Sequence, residues 1–155
     1  MTTATAPAAG QQQANLDAFR RLIAEGFSGG NLSVVDEVLA EDHVEHQDGF
    51  EPPTREGVKH GIAFLHRLSP DIEVTIEDIT AAGGDKVWAR LRARGTHGGE
   101  ALGGPSGRAF DITVMDVCRF QNGRIVEHWG VPDRLAQMQQ LGIIPGAPAP
   151  ASRVA

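Results

Sequence analysis

From Asp71 onward, apolar residues fall at every second position. Ile72, Val74 and Ile76 alternate with Glu73, Thr75 and Glu77, the signature of a strand with one wet face. KVWARLRARG continues the period, with Val87, Ala89, Leu91 and Ala93 on one side and Trp88, Arg90, Arg92 and Arg94 on the other. DITVMDVCRFQNGRIVEHWGVPD, residues 111–133, reads as two more strands joined at the turn dipeptide Asn122-Gly123. Ahead of Asp71 the spacing is three and four. Leu16, Phe19, Leu22, Ile23 and Phe27 form one face of a helix stopped by Gly29-Gly30, and VVDEVL forms a short second helix. A third helix spans Arg55 to Leu68, with Val58, Ile62 and Leu65 inward and Thr54 as its N-cap. DHVEHQDG between the second and third helices reads as loop, GGEALGGPSGR as a mobile connection, and DRLAQMQQLG as a last short helix closed by Gly142. Helices followed by consecutive strands give an α+β fold, with the helices packed on one face of a curved antiparallel sheet.

With 155 residues, 41% of them hydrophobic, the chain supplies one core and too little for two. A single domain over roughly Asn15 to Ile144 is expected. Residues 1–14 and 145–155, small, polar or rich in Pro and Ala, are expected to be flexible tails. A net charge of −6 with no basic run argues against nucleic acid or an anionic membrane as partner and favours a small molecule. The single Cys118 and an N-terminus without a basic flank and apolar stretch point to the cytoplasm.

Asp116 and His128 are the anomaly. On the first hairpin strand Asp116 interrupts the apolar row Ile112, Val114, Cys118 and Phe120, where loss of water would be costly without a partner. Two registers compete. A two-residue loop at Asn122-Gly123 pairs Gln121 with Arg124 and sets Asp116 opposite Trp129; a three-residue loop with a bulge at Gly123 pairs Phe120 with Arg124 and sets Asp116 opposite His128. The second is preferred, because it gives the inward carboxylate a group able to carry a proton and makes Val126, His128 and Gly130 the inward row. Such a pair is either a general acid/base unit or a structural pair fixing the sheet's register.

GDKVWARLRARGTHGG, PSGR, MDVCRFQNGRIVEHWGVPD and MQQLG, preceded by NLSVVDEVLAEDHVEH, resemble the SnoaL-like polyketide cyclases and ester cyclases of the nuclear-transport-factor-2-like superfamily over about Asn15 to Gly142. The resemblance implies a cone-shaped sheet wrapped on a long helix, a deep apolar pocket and a homodimer formed through the outer sheet face. It also implies an acid/base Asp two residues after a His on the last strand, with a partner His on the strand before. Position by position these fall on Gly130, His128 and Asp116. The usual carboxylate is missing, so either the dyad is exchanged between strands or the cyclase chemistry is absent.

The catalytic candidates are therefore Asp116 and His128, with no cofactor and no metal. His43, Glu45, His46 and Asp48 lack the spacing of a metal site. His43 and His46 are expected at the pocket mouth, as the resemblance suggests. His97, on the inward parity of its strand, Val114 and Cys118 beside Asp116, and Phe64 on the third helix are further candidates for substrate contact. Asp133 suits an N-cap and also lies near the pocket. His60 and His66 read as surface. The leading expectation is cofactor-free, aldol-type closure of a hydrophobic polyketide-like ester or carbonyl compound. The alternatives are a non-catalytic ligand-binding or partner module and, more weakly, epoxide hydrolysis, which would need Arg90 or Arg92 turned into the pocket. A Tyr oxyanion donor is excluded, since the chain has no Tyr.

Overall fold

A computed structural model describes residues 9–146. Helix α1 (Ala9–Arg21) runs on into a wider π-type turn, Leu22–Ser28, followed by α2 (Ser33–Val38), β1 (Leu39–Glu45), α3 (Arg55–Leu68), β2 (Glu73–Ala82), β3 (Lys86–Thr96), β4 (Ala109–Gln121), β5 (Arg124–Pro132) and α4 (Arg134–Gln140). Residues 9–14, expected in the N-terminal tail, belong to α1. Residues 1–8 and 147–155, assigned to the tails, lie outside the described residues. No helix among the described residues is long and apolar enough to cross a membrane.

The five strands form one open sheet in the order β1-β5-β4-β3-β2. The period-two reading holds residue by residue on β3, where Val87, Ala89, Leu91 and Ala93 are buried and Trp88, Arg90, Arg92 and Arg94 are exposed. These buried side chains meet Phe19, Leu22 and Ile23 of the first helical segment, Val34 and Val35 of α2 and Val58 and Ile62 of α3 in one core. Register shifts between Ile76 and Asp78 on β2 and between Arg119 and Phe120 on β4 mark bulges, which raise the local twist and bend the sheet around the helices.

Two expectations are corrected. DHVEHQDG is not all loop: its first half completes β1, which pairs in parallel with β5, placing Val44 beside Glu127 and Glu45 beside His128. The hairpin, in turn, takes neither proposed register along its length. Asn122 and Gly123 both have positive φ, at 51° and 75°, so they form a two-residue turn of the kind that follows the strand twist, and Gln121 pairs with Arg124. One extra residue, Val126, then bulges from β5, so that Arg119 pairs with Glu127, Cys118 with His128 and Asp116 with Gly130. The inward residues of β5 are Ile125 and His128, both buried. Thr54 precedes α3 as expected, but its side chain makes no capping hydrogen bond.

Candidate active site

The inner sheet face and α3 enclose a cavity of about 450 Å³, lined by Ile23, Phe27, Phe50, Phe64, Leu91, Ile112 and Val114 among others. Asp116 stands on its wall. The carboxylate is nearly fully buried, and its Oδ1 has no hydrogen-bond partner. It is the one buried side-chain polar atom in that state among the described residues. The nearest cationic atom is Nε2 of His128 at 3.5 Å, an ion-pair distance too long for a strong hydrogen bond.

Behind Asp116 the charges continue. His128 turns Nδ1 to both carboxylate oxygens of Glu45, at 2.9 Å each, so its Nδ1–H is shared between them. Glu45 Oε1 also accepts the Gln47 backbone N–H at 2.7 Å, and Oε2 lies 3.5 Å from His43 Nε2. His43 donates its Nδ1–H to the Ile125 carbonyl at 3.2 Å. The result is a buried line, His43, Glu45, His128 and Asp116, that reaches the cavity only at Asp116. Glu45 entered the sequence analysis only as a metal candidate. The register that puts β1 beside β5 is what brings it to His128.

Burial, the largest single influence on His128, disfavours its charged form, yet the adjacent carboxylates of Asp116 and Glu45 outweigh it and raise its pKa from 6.5 to about 10. Burial likewise opposes charge on Glu45, and hydrogen bonds from His128, His43 and the Gln47 backbone overcome it, lowering the pKa from 4.5 to about 2. At neutral pH His128 is therefore an imidazolium held by the Glu45 carboxylate. Each shift carries a pH signature. The stabilisation from His128 is complete below pH 6.5 and lost as pH rises through about 10; that from Glu45 is present above pH 4.5 and lost as pH falls towards about 2. Thermal denaturation followed by circular dichroism should therefore show a Tm maximum between pH 4.5 and 6.5, with a decline between pH 7 and 10 that Glu45→Gln reduces. A Tm flat across pH 7 to 10 in the wild type would mean that His128 is already neutral there.

The other candidate residues divide. Val114 and Phe64 line the cavity. Cys118 is fully buried one layer below, where burial and the nearby Asp116 and Glu45 charges push its thiol pKa well up, as expected of an inert buried residue. His97 does not reach the cavity: it organises the loop that follows β3, through Ser106 Oγ at 2.9 Å and the Ala101 carbonyl at 2.8 Å. His46 is on the outer sheet face, stacked on Trp129 with ring centroids 4.7 Å apart, while His43 points inward, so neither lies at the mouth and they cannot share a ligand. Asp133 caps α4, accepting the Ala136 N–H at 2.9 Å. His60, read as surface, stands on the cavity rim and bonds the Glu51 carbonyl, whereas His66 ties α3 to the Phe27 carbonyl. Arg90 and Arg92 point outward to Glu77 and Asp111, which removes the arrangement epoxide hydrolysis needed from the strands.

Gly130 has a positive reason to be glycine. A Cβ there would overlap Gln47 Oε1 and come within 2.9 Å of His128 Cε1. The space in which the resemblance places a carboxylate is filled by the Gln47 side chain, itself on the cavity wall.

Comparison with known proteins agrees with this architecture. Residues 17–141 match the family model described as SnoaL-like polyketide cyclase. Among solved structures, IdmH from Streptomyces antibioticus, named as a candidate polyketide cyclase, is 36% identical, superposes with a TM-score of 0.73, and covers 83% of this chain and 98% of its own. A candidate SnoaL-like polyketide cyclase from Jannaschia sp. CCS1 is 25% identical with a TM-score of 0.78, covering 89% of this chain and 98% of its own. AclR from Streptomyces galilaeus, named as a candidate hydroxylase, is also 25% identical, with a TM-score of 0.76 and coverage of 88% and 86%. No curated protein matches the chain.

Proposed function

This chain belongs to the SnoaL-like polyketide cyclase family, and we propose that it closes a ring in a hydrophobic polyketide-like ester or carbonyl compound by cofactor-free, intramolecular aldol chemistry. The observation that carries the proposal is Asp116: a buried carboxylate on an apolar cavity wall whose Oδ1 has no partner. Leaving such an atom unpaired costs about 1–3 kcal/mol or more for a charged group, and the missing partner is supplied by a ligand proton. Asp116 removes a proton from the carbon next to a carbonyl. The resulting enolate carbon attacks a second carbonyl of the same molecule, and the new alkoxide takes the proton back from Asp116. Atoms and charge balance with no co-reactant. His128 does not line the cavity, so its part is to position the carboxylate and offset its charge, held in turn by Glu45.

Exchange of the methyl protons of 2-acetylnaphthalene in heavy water, followed by NMR, tests the reading. Saturable exchange that disappears in Asp116→Asn is expected. Binding without exchange in the wild type would sink the catalytic reading and leave a ligand-binding module.

We also infer a homodimer formed through the outer face of β3 to β5. Trp88, Met115, Trp129 and Val131 are 48%, 47%, 36% and 69% exposed there, and cross-strand pairing joins Trp88 to Val117 and Val117 to Trp129. Aromatic residues beside arginines suit an interface. Sedimentation should give a dimer for the wild type and a monomer for Val131→Glu; monomer for both would remove the inference. A reducing cytoplasm remains the compartment we favour, on the lone buried thiol of Cys118.

A further inference from the structure

The cavity wall carries a second polar group beside Asp116 whose placement is as specific as that of the carboxylate. Gln47 follows β1, and three contacts fix the segment that bears it. Its backbone N–H is bound by Glu45 Oε1 at 2.7 Å, the Asp48 carbonyl accepts from Arg134 of α4, and the Phe50 ring is buried against Gly61 of α3. Its side-chain oxygen lies over Gly130, the residue paired with Asp116 across β4 and β5. Among the described residues its amide Nε2 has no hydrogen-bond partner. Of the other polar side chains on the wall, His60 is engaged by the Glu51 carbonyl and Arg134 by the Asp48 carbonyl, while Arg67 and Gln137 reach it from α3 and α4.

We propose that the Gln47 amide donates a hydrogen bond to the carbonyl oxygen of a ligand whose adjacent carbon faces Asp116, and holds that oxygen as negative charge develops on it. This rests on the reading of Asp116 as the base and adds the electrophilic half of the site. A donor aimed at the place where charge appears, in a cavity poor in water, stabilises it more than solvent does. It also accounts for Gly130: any side chain there displaces Gln47. The ligand class is thereby narrowed to aryl or polyketide ketones and esters with an enolisable carbon beside the bound oxygen. Gln137, the other glutamine on the wall, comes from α4 and shares no strand pair with Asp116.

Binding of two probes separates the hydrogen bond from packing: 2-acetylnaphthalene, which has the carbonyl acceptor, and 2-ethylnaphthalene, which lacks it. Gln47→Leu should weaken the ketone roughly tenfold and leave the hydrocarbon unchanged, the size expected for one hydrogen bond. Gly130→Ala, whose methyl group drives Gln47 aside, should do the same, and Gln137→Leu should do neither. Equal losses for both probes, no loss for the ketone, or a ketone-selective loss in Gln137→Leu would overturn the proposal. The readout is binding, so a ketone-selective loss in a wild type that shows no proton exchange leaves Gln47 as a carbonyl donor while the catalytic reading fails.

Discussion

Asp116→Asn is expected to lower proton exchange and ring closure by about 10²–10⁴-fold, the usual contribution of a positioned general base. The amide keeps the shape of the carboxylate and removes its basicity. Binding of 2-ethylnaphthalene should survive, because the apolar wall built by Phe27, Phe50, Ile112 and Val114 is untouched. The variant should also lose about 1–3 kcal/mol of stability, since His128 keeps its proton with only Glu45 to offset it. Measuring exchange and Tm on the same sample separates the two roles. A stability loss with exchange intact would leave a structural pair; neither change would dismiss the pair altogether.

Glu45→Ala should be the most damaging single substitution for stability. Both carboxylate oxygens hold His128 Nδ1, one also holds the Gln47 backbone, and the other faces His43. Removing one member of a buried ion pair costs about 3–5 kcal/mol, because the remaining charge is left without compensation. For a chain of this size that corresponds to a fall in Tm of roughly 6–20 °C. Glu45→Gln, which keeps hydrogen bonding and removes charge, should cost less and should bring the His128 pKa down from about 10, as read by NMR titration of its ring. A Tm within a degree of the wild type for Glu45→Ala would show that the line from β1 to Asp116 holds nothing together.

Most of the frame was legible because local periodicity decided it. The β3 alternation names its buried and exposed residues correctly, and α3 begins and ends where the apolar spacing places it. The site was legible only in part, and the reason is physical. β1 carries His43 and Glu45 inward, so it lacks the alternation that marks a strand, and it is defined by parallel pairing with β5 some eighty positions away in the chain. Asp116 and His128 stood out because polar residues interrupt an apolar row, but the route by which they approach was misjudged. The turn is two residues long, and the bulge is at Val126 and not at Gly123. His43 and His46 were both placed at the pocket mouth by the resemblance, although His43 is buried on the inner side of β1 and His46, one residue past the end of that strand, stacks on Trp129 at the outer face.

The Val126 bulge makes the hairpin a counting device. Strand faces alternate strictly, so from the turn onward each residue's side is fixed by whether its distance from Gly123 is odd or even, and one uncounted residue reverses the tally for everything beyond it. Were Val126 paired with Arg119 instead of bulged, every later residue would move one place along the ladder, and Trp129 would stand opposite Asp116 and face the interior in place of His128. Charge in the cavity wall and aromatic surface on the outside are thus two readings of the same strand, separated by a single codon's worth of chain.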